Sequence, residues 1–145
     1  MLTTESGAVT AMSNTSATPY VFIVDDDESV RTGLSRLMRA SGIRTRTFAT
    51  PQAFLDEVDP TSEGCVLLDI TMPNMTGLQV QKTLTARGIH LPVIAVSARD
   101  SDEVRAMAHE LGASFFLHKP VDDQALLDAI AWVTDQNRTR IGSNL

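Results

Sequence analysis

Apolar residues along this chain fall into short, largely β-branched runs, separated by longer stretches in which they recur every three or four positions. From Tyr20 onward the alternation repeats five times, the pattern of βα units built around a parallel sheet. The predicted strands cover residues 20–24, 43–48, 65–68, 92–96 and 114–117, and the predicted helices 28–40, 51–58, 76–87, 101–111 and 121–134. The first helix carries Val30, Leu34, Leu37 and Met38 at helical spacing, which assigns Arg31, Arg36 and Arg39 to the outer face and makes Gly42 its stop. The last carries Val121, Leu126, Leu127 and Ile130 with Val133 or Trp132, and Asp122 and Asp123 occupy its first turn, where the helix dipole favours anions. Cys65-Val66-Leu67-Leu68 and Val93-Ile94-Ala95-Val96 are apolar without alternation, as expected of strands covered by helices on both faces.

These elements predict one α/β domain over residues 19–134, a doubly wound (βα)5 fold with five parallel strands in the flavodoxin-like order 2-1-3-4-5. Residues 1–18 hold eight Ser or Thr, no aromatic residue and one charge, too little apolar area to offset the entropy of ordering, so they are expected to form a flexible tail. Translation from Met1 and from Met12 are both compatible with this reading. Residues 135–145 lack an apolar period and are expected to be a polar tail or linker.

Composition narrows the function classes. Apolar residues make up 43% and charged residues 21%, ordinary for a single packed domain, and the net charge of −6 gives a phosphate backbone no overall attraction. Direct nucleic-acid binding is therefore not expected. No apolar run approaches the roughly 20 residues of a membrane span. The single cysteine, Cys65, precludes an intramolecular disulfide, the N-terminus lacks the features of a secretory signal, and a cytoplasmic location is expected.

In an open parallel sheet, ligands bind beyond the carboxyl ends of the strands. Here the first strand runs into Asp25 and Asp26, the third into Asp69, the fourth into Ser97 and the fifth into Lys119. Each has an ordinary alternative taken alone. Asp27, Glu28 and Ser29 can cap a helix, Ser97 can form a turn and Lys119 can be a solvated loop residue. Together they place three carboxylates, a hydroxyl and an ammonium on one rim. Carboxylates that close need a counter-charge, and a hard divalent cation such as Mg²⁺ supplies one.

The segments Val24-Asp25-Asp26-Asp27-Glu28-Ser29, Leu68-Asp69-Ile70-Thr71-Met72-Pro73 with Gly77-Leu78, Ser97-Ala98, and Phe116-Leu117-His118-Lys119-Pro120 resemble the receiver domain of bacterial two-component response regulators, most closely those of FixJ type. The resemblance covers residues 20–133. It implies that Asp69 is the phosphorylated nucleophile and that Asp25, Asp26 and Asp69 hold Mg²⁺ with the backbone carbonyl of Thr71. It also implies that Ser97 and Lys119 contact the phosphoryl oxygens, and that Ser97 and Phe116 form the switch. The implied donor is a sensor histidine kinase, and the protein is then a phosphoacceptor that assists its own phosphorylation and dephosphorylation rather than an enzyme acting on a separate substrate. The face of residues 101–134 is the expected dimer or output surface. The chain can equally be the receiver part of a longer transcriptional regulator whose DNA-binding domain lies outside it.

Two other functions share the topology. A flavin carrier of the flavodoxin type needs a hydroxyl- and glycine-rich phosphate loop after the first strand, where this chain has four acids from Asp25 to Glu28. A phosphatase using an aspartyl phosphate typically has a second acid two residues after its nucleophile, where this chain has Thr71. Phe115, beside Phe116, points to the opposite face of the fifth strand and is expected to leave one of the two partly exposed. His90, His109 and His118 have no shared spacing and are expected at the surface. Met72 and Met75 are expected to pack locally.

Overall fold

The computed structural model describes residues 19–73 and 75–143, so the expected N-terminal tail over residues 1–18 lies outside the described residues. The elements are β1 (Tyr20–Val24), α1 (Glu28–Ala40), β2 (Arg44–Phe48), α2 (Pro51–Glu57), β3 (Gly64–Asp69), α3 (Gly77–Ala86), β4 (Val93–Ser97), α4 (Asp102–Glu110), β5 (Phe115–His118) and α5 (Asp123–Ser143). All five strands are parallel in the order β2-β1-β3-β4-β5, as the sequence pattern predicts.

Successive strand residues face opposite sides, and the core splits accordingly. Phe22, Val24, Val66, Leu68 and Ala95 meet Phe54 and Leu55 of α2, Val80 and Leu84 of α3, and Val104 and Ala108 of α4. Val21, Ile23, Cys65, Leu67 and Ile94 meet Met38 of α1 and Leu126, Ala129, Ile130 and Val133 of α5. The sequence left Val133 and Trp132 as alternatives for the inner face of the last helix. Val133 is buried, whereas Trp132 is 53% exposed.

Helix starts follow local chemistry. The Asp27 side chain accepts from the backbone N–H of Ser29 and Val30, Thr50 caps α2 ahead of Pro51, Thr76 and Gln79 form a reciprocal capping box on α3, and Ser101 caps α4. Gly64 fixes the start of β3. Its φ is +131°, and a Cβ there would lie 1.7 Å from the carbonyl oxygen of Tyr20, its register partner on β1.

Two differences from the sequence reading stand out. The last helix continues to Ser143, through most of the stretch expected as a tail. Nothing between Thr134 and Arg140 breaks a helix, so the turns packed through Leu126, Ile130 and Val133 propagate into a polar segment at the cost of only one further residue at a time. Arg31, assigned to the outer face, is half-buried and donates from Nη1 to the Asp25 carbonyl oxygen at 2.7 Å.

Candidate functional site

Strand register builds the site. Val24 pairs with Leu68, which sets Asp25 beside Asp69; Asp69 pairs with Val96, which puts Ser97 one step further on; and Ser97 pairs with His118, which brings Lys119 next. The carboxyl ends of four strands therefore deliver Asp25, Asp69, Ser97 and Lys119 to one rim. Asp25, Asp69 and Ser97 are buried, Lys119 is partly buried and Asp26 is exposed at the mouth.

The Lys119 Nζ lies 2.7 Å from Asp25 Oδ2 and 3.0 Å from Asp69 Oδ2, bridging the two buried carboxylates. Burial works against its charge, but the hydrogen bonds to Asp25 and Asp69 outweigh that and hold the ammonium above the usual lysine range. Asp69 Oδ1 accepts from both the backbone N–H and the hydroxyl of Thr71, at 2.9 and 2.8 Å. Asp25 Oδ1 accepts from the backbone N–H of Asp27 at 2.9 Å. The helix cap is thus Asp27 alone, held below the usual carboxylate range by the Ser29 hydroxyl and the N–H groups of Val30 and Ser29. Asp25 and Asp26 are left out of capping.

One carboxylate oxygen from each of Asp25, Asp26 and Asp69 lies within 4.8 Å of the other two. Three hard oxygen donors around one point fit a hard divalent cation of the Mg²⁺ class and do not fit a metal that prefers sulfur or imidazole. The Lys119–Pro120 peptide bond is cis. Ser97 Oγ accepts from the Arg99 N–H at 2.9 Å, and the Ser97 carbonyl accepts from the Lys119 N–H at 2.8 Å.

Phe116 packs toward the α3 and α4 side of the sheet and Phe115 toward α5, each half-buried, so the two successive aromatics do face opposite ways. Phe115 meets Trp132 edge-on, with ring centroids 5.6 Å apart. Met72 is buried and Met75 packs against the same cluster. His90, His109 and His118 are exposed.

Sequence reasoning missed three contacts. The Thr71 hydroxyl on Asp69 was available from the two-residue spacing alone, since Asp side chains bond two residues ahead. The His118 ring, whose Nε2 lies 2.9 Å from the Ala98 carbonyl oxygen, and Arg105, whose guanidinium lies over Phe116, depend on the β4–β5 register and had no local signal. Among the described residues, no helix is long and apolar enough to cross a membrane.

Residues 21–131 match the family described as the response regulator receiver domain. The transcriptional regulatory protein TdiR of Thauera aromatica is 42% identical over 118 residues, which are 81% of this chain and 52% of that protein. The transcriptional regulatory protein FixJ of Azorhizobium caulinodans is 38% identical over 110 residues, 76% of this chain and 52% of its own length. A solved structure of the response regulator StyR superposes with a TM-score of 0.79 at 39% identity, covering 88% of this chain and 64% of that one. The chain spans about half the length of the curated relatives it matches. Fold, rim and these likenesses agree, and the chain belongs to the response regulator receiver domain family.

Proposed function

We propose that this domain takes a phosphoryl group from a phosphohistidine of a sensor kinase onto Asp69. The observation that carries the reading is the Lys119 ammonium seated between Asp25 and Asp69 at the mouth of an acidic cluster. Asp69 attacks through a carboxylate oxygen, which has no hydroxyl proton to remove, so no base is required. A carboxylate oxygen forms the new O–P bond while the P–N bond to the donor imidazole breaks, and that electron pair leaves on the ring nitrogen. Lys119 offsets charge on the phosphoryl oxygens, and the Ser97 hydroxyl gains a charge-assisted hydrogen bond by turning toward them. Asp25, Asp26, Asp69 and the Thr71 carbonyl would hold Mg²⁺, which when bound supplies further charge neutralisation at the same oxygens.

Output follows from the Ser97 movement. Space vacated behind Ser97 is filled by Phe116 turning inward, which alters the surface of α4, β5 and α5. That surface then engages a second copy or an output partner. A coupling of about 1–3 kcal/mol shifts a population rather than locking one conformer. Because TdiR and FixJ are named as transcriptional regulators and extend well beyond the matched region, the alternative of a receiver within a longer DNA-binding regulator has equal support.

Amide NMR of the protein with Mg²⁺ and beryllofluoride, a phosphoryl mimic, tests the reading. The largest shifts should fall around Asp69, at residues 97–105 and at residues 115–119. Shifts confined to the Asp69 loop, or a Ser97→Ala variant that responds as the parent does, would overturn the relay.

A further inference from the structure

The loop joining β4 to α4, residues 98–101, is fastened to β5 by side chains whose place in the switch the reading above leaves unassigned. At its near end the His118 ring bonds the Ala98 carbonyl. At its far end Asp100 receives both arms of Arg105 from the first turn of α4, Nε to Oδ1 at 2.5 Å and Nη2 to Oδ2 at 3.0 Å. The same guanidinium lies over the ring of Phe116, its central carbon 5.3 Å from the centroid. One side chain thus touches both the loop that carries the Ser97 neighbourhood and the aromatic residue that would replace it.

We propose that Arg105 is a positioning residue that holds this loop and Phe116 in the resting arrangement. The bidentate pair tethers the loop, and the stacked guanidinium covers the ring. This rests on the phosphoacceptor reading, because it assigns the brake on that reading's switch. A guanidinium is planar, and its fork and its face are fixed relative to each other. It therefore satisfies Asp100 and Phe116 together in only a narrow range of loop positions. Drawing the Ser97 segment toward Asp69 moves the loop against the ring, and one contact gives way. Lysine, a point charge without a planar face, cannot make both contacts in this way.

Both members of the ion pair are substantially exposed, 59% for the Arg105 side chain and 36% for Asp100, so the brake is weak and open to screening by salt. Hydrogen bonding from Arg105 holds Asp100 below the usual carboxylate range, so the pair persists at neutral pH. Contacts of this kind change an equilibrium by about two- to fivefold, enough to bias a switch and too little to block it.

The test combines beryllofluoride titration in Mg²⁺ with amide NMR of the free protein. In Arg105→Ala the free-state resonances of Ser97, Arg99 and Phe116 should move part of the way along the line joining the parent's free and beryllofluoride-bound positions. Beryllofluoride affinity should rise about two- to fivefold. Arg105→Lys should fall between the two. Raising sodium chloride should move the parent's resonances the same way and leave Arg105→Ala where it is. A residue that merely stabilised α4 would instead lower the melting temperature and weaken the mimic, which would overturn the proposal. So would an Arg105→Ala variant with the parent's free-state shifts and affinity while the parent responds. A parent that fails to bind beryllofluoride at all would overturn the phosphoacceptor reading, and this proposal with it.

Discussion

Lys119 Nζ stands 3.0 Å from Asp69 Oδ2, although the two residues are fifty positions apart and β3, which ends in Asp69, is not a neighbour of β5, which Lys119 follows. The contact exists because β4 lies between β3 and β5 and steps the register forward at each side, so that the side chain following β5 leans back across the end of β4. Its second partner, Asp25, is reached in the same way from β1.

This bridge has a measurable consequence. Replacing Lys119 with Ala leaves two buried carboxylates without their cation, which should lower stability in metal-free buffer by about 1–3 kcal/mol. Mg²⁺ should restore most of that loss and should bind the variant more tightly than it binds the parent, because no ammonium competes for Asp25 and Asp69. Urea unfolding with and without Mg²⁺ checks both statements. Equal losses in the two buffers would mean that metal and lysine do not share the carboxylates.

Asp26 is exposed and caps nothing, so its removal should leave the fold intact while depriving a cation of one of three oxygens. Asp26→Ala is expected to melt within a degree or two of the parent and to bind Mg²⁺ at least tenfold more weakly by calorimetry. Undiminished affinity would place the metal elsewhere.

Cys65, the second residue of β3, is fully buried, and burial pushes its thiol up to about 12 from an ordinary 9.0. In the folded protein it should resist thiol reagents at pH 8 and react only on unfolding. Because the unfolded chain releases this proton first, the Cys65 contribution is undiminished below pH 9 and declines as pH rises toward 12. Relative to Cys65→Ala, the parent should therefore lose up to about 1.4 kcal/mol per pH unit in that window. Parallel stability profiles for the two proteins would contradict it.

The inner face of α5 offers a contrast within one helix. Leu126→Ala, at a fully buried position, should cost about 2–5 kcal/mol, whereas Trp132→Ala should cost about 1 kcal/mol, since Trp132 is half-exposed and held mainly by its edge contact with Phe115. Chemical denaturation of the two variants separates them, and a larger loss from Trp132→Ala would mean that the helix packs by its other side.

Much of the fold is legible in the sequence because parallel strands buried on both faces leave uninterrupted apolar runs, and each run here stops at a polar residue. The same property exposes the rim, since Asp25, Asp69 and Ser97 each sit at the end of such a run and Lys119 lies one residue past the end of the Phe115-Phe116-Leu117 run. What escapes is whatever depends on register or on side-chain reach. Arg31 has the spacing of an outward residue, yet its length lets it fold back to the Asp25 carbonyl. The extension of α5 to Ser143 carries no apolar period because Ile141 is the one large apolar residue between Asp135 and Ser143. Arg105 and His118 look like ordinary surface residues until β4 and β5 are paired.

The role of Asp69 as phosphoacceptor is open to intact-protein mass spectrometry after incubation with Mg²⁺ and a small phosphodonor such as acetyl phosphate. The parent should gain one phosphate per chain and Asp69→Asn none, with both proteins folded at the time of labelling. Stoichiometric labelling of Asp69→Asn would contradict it.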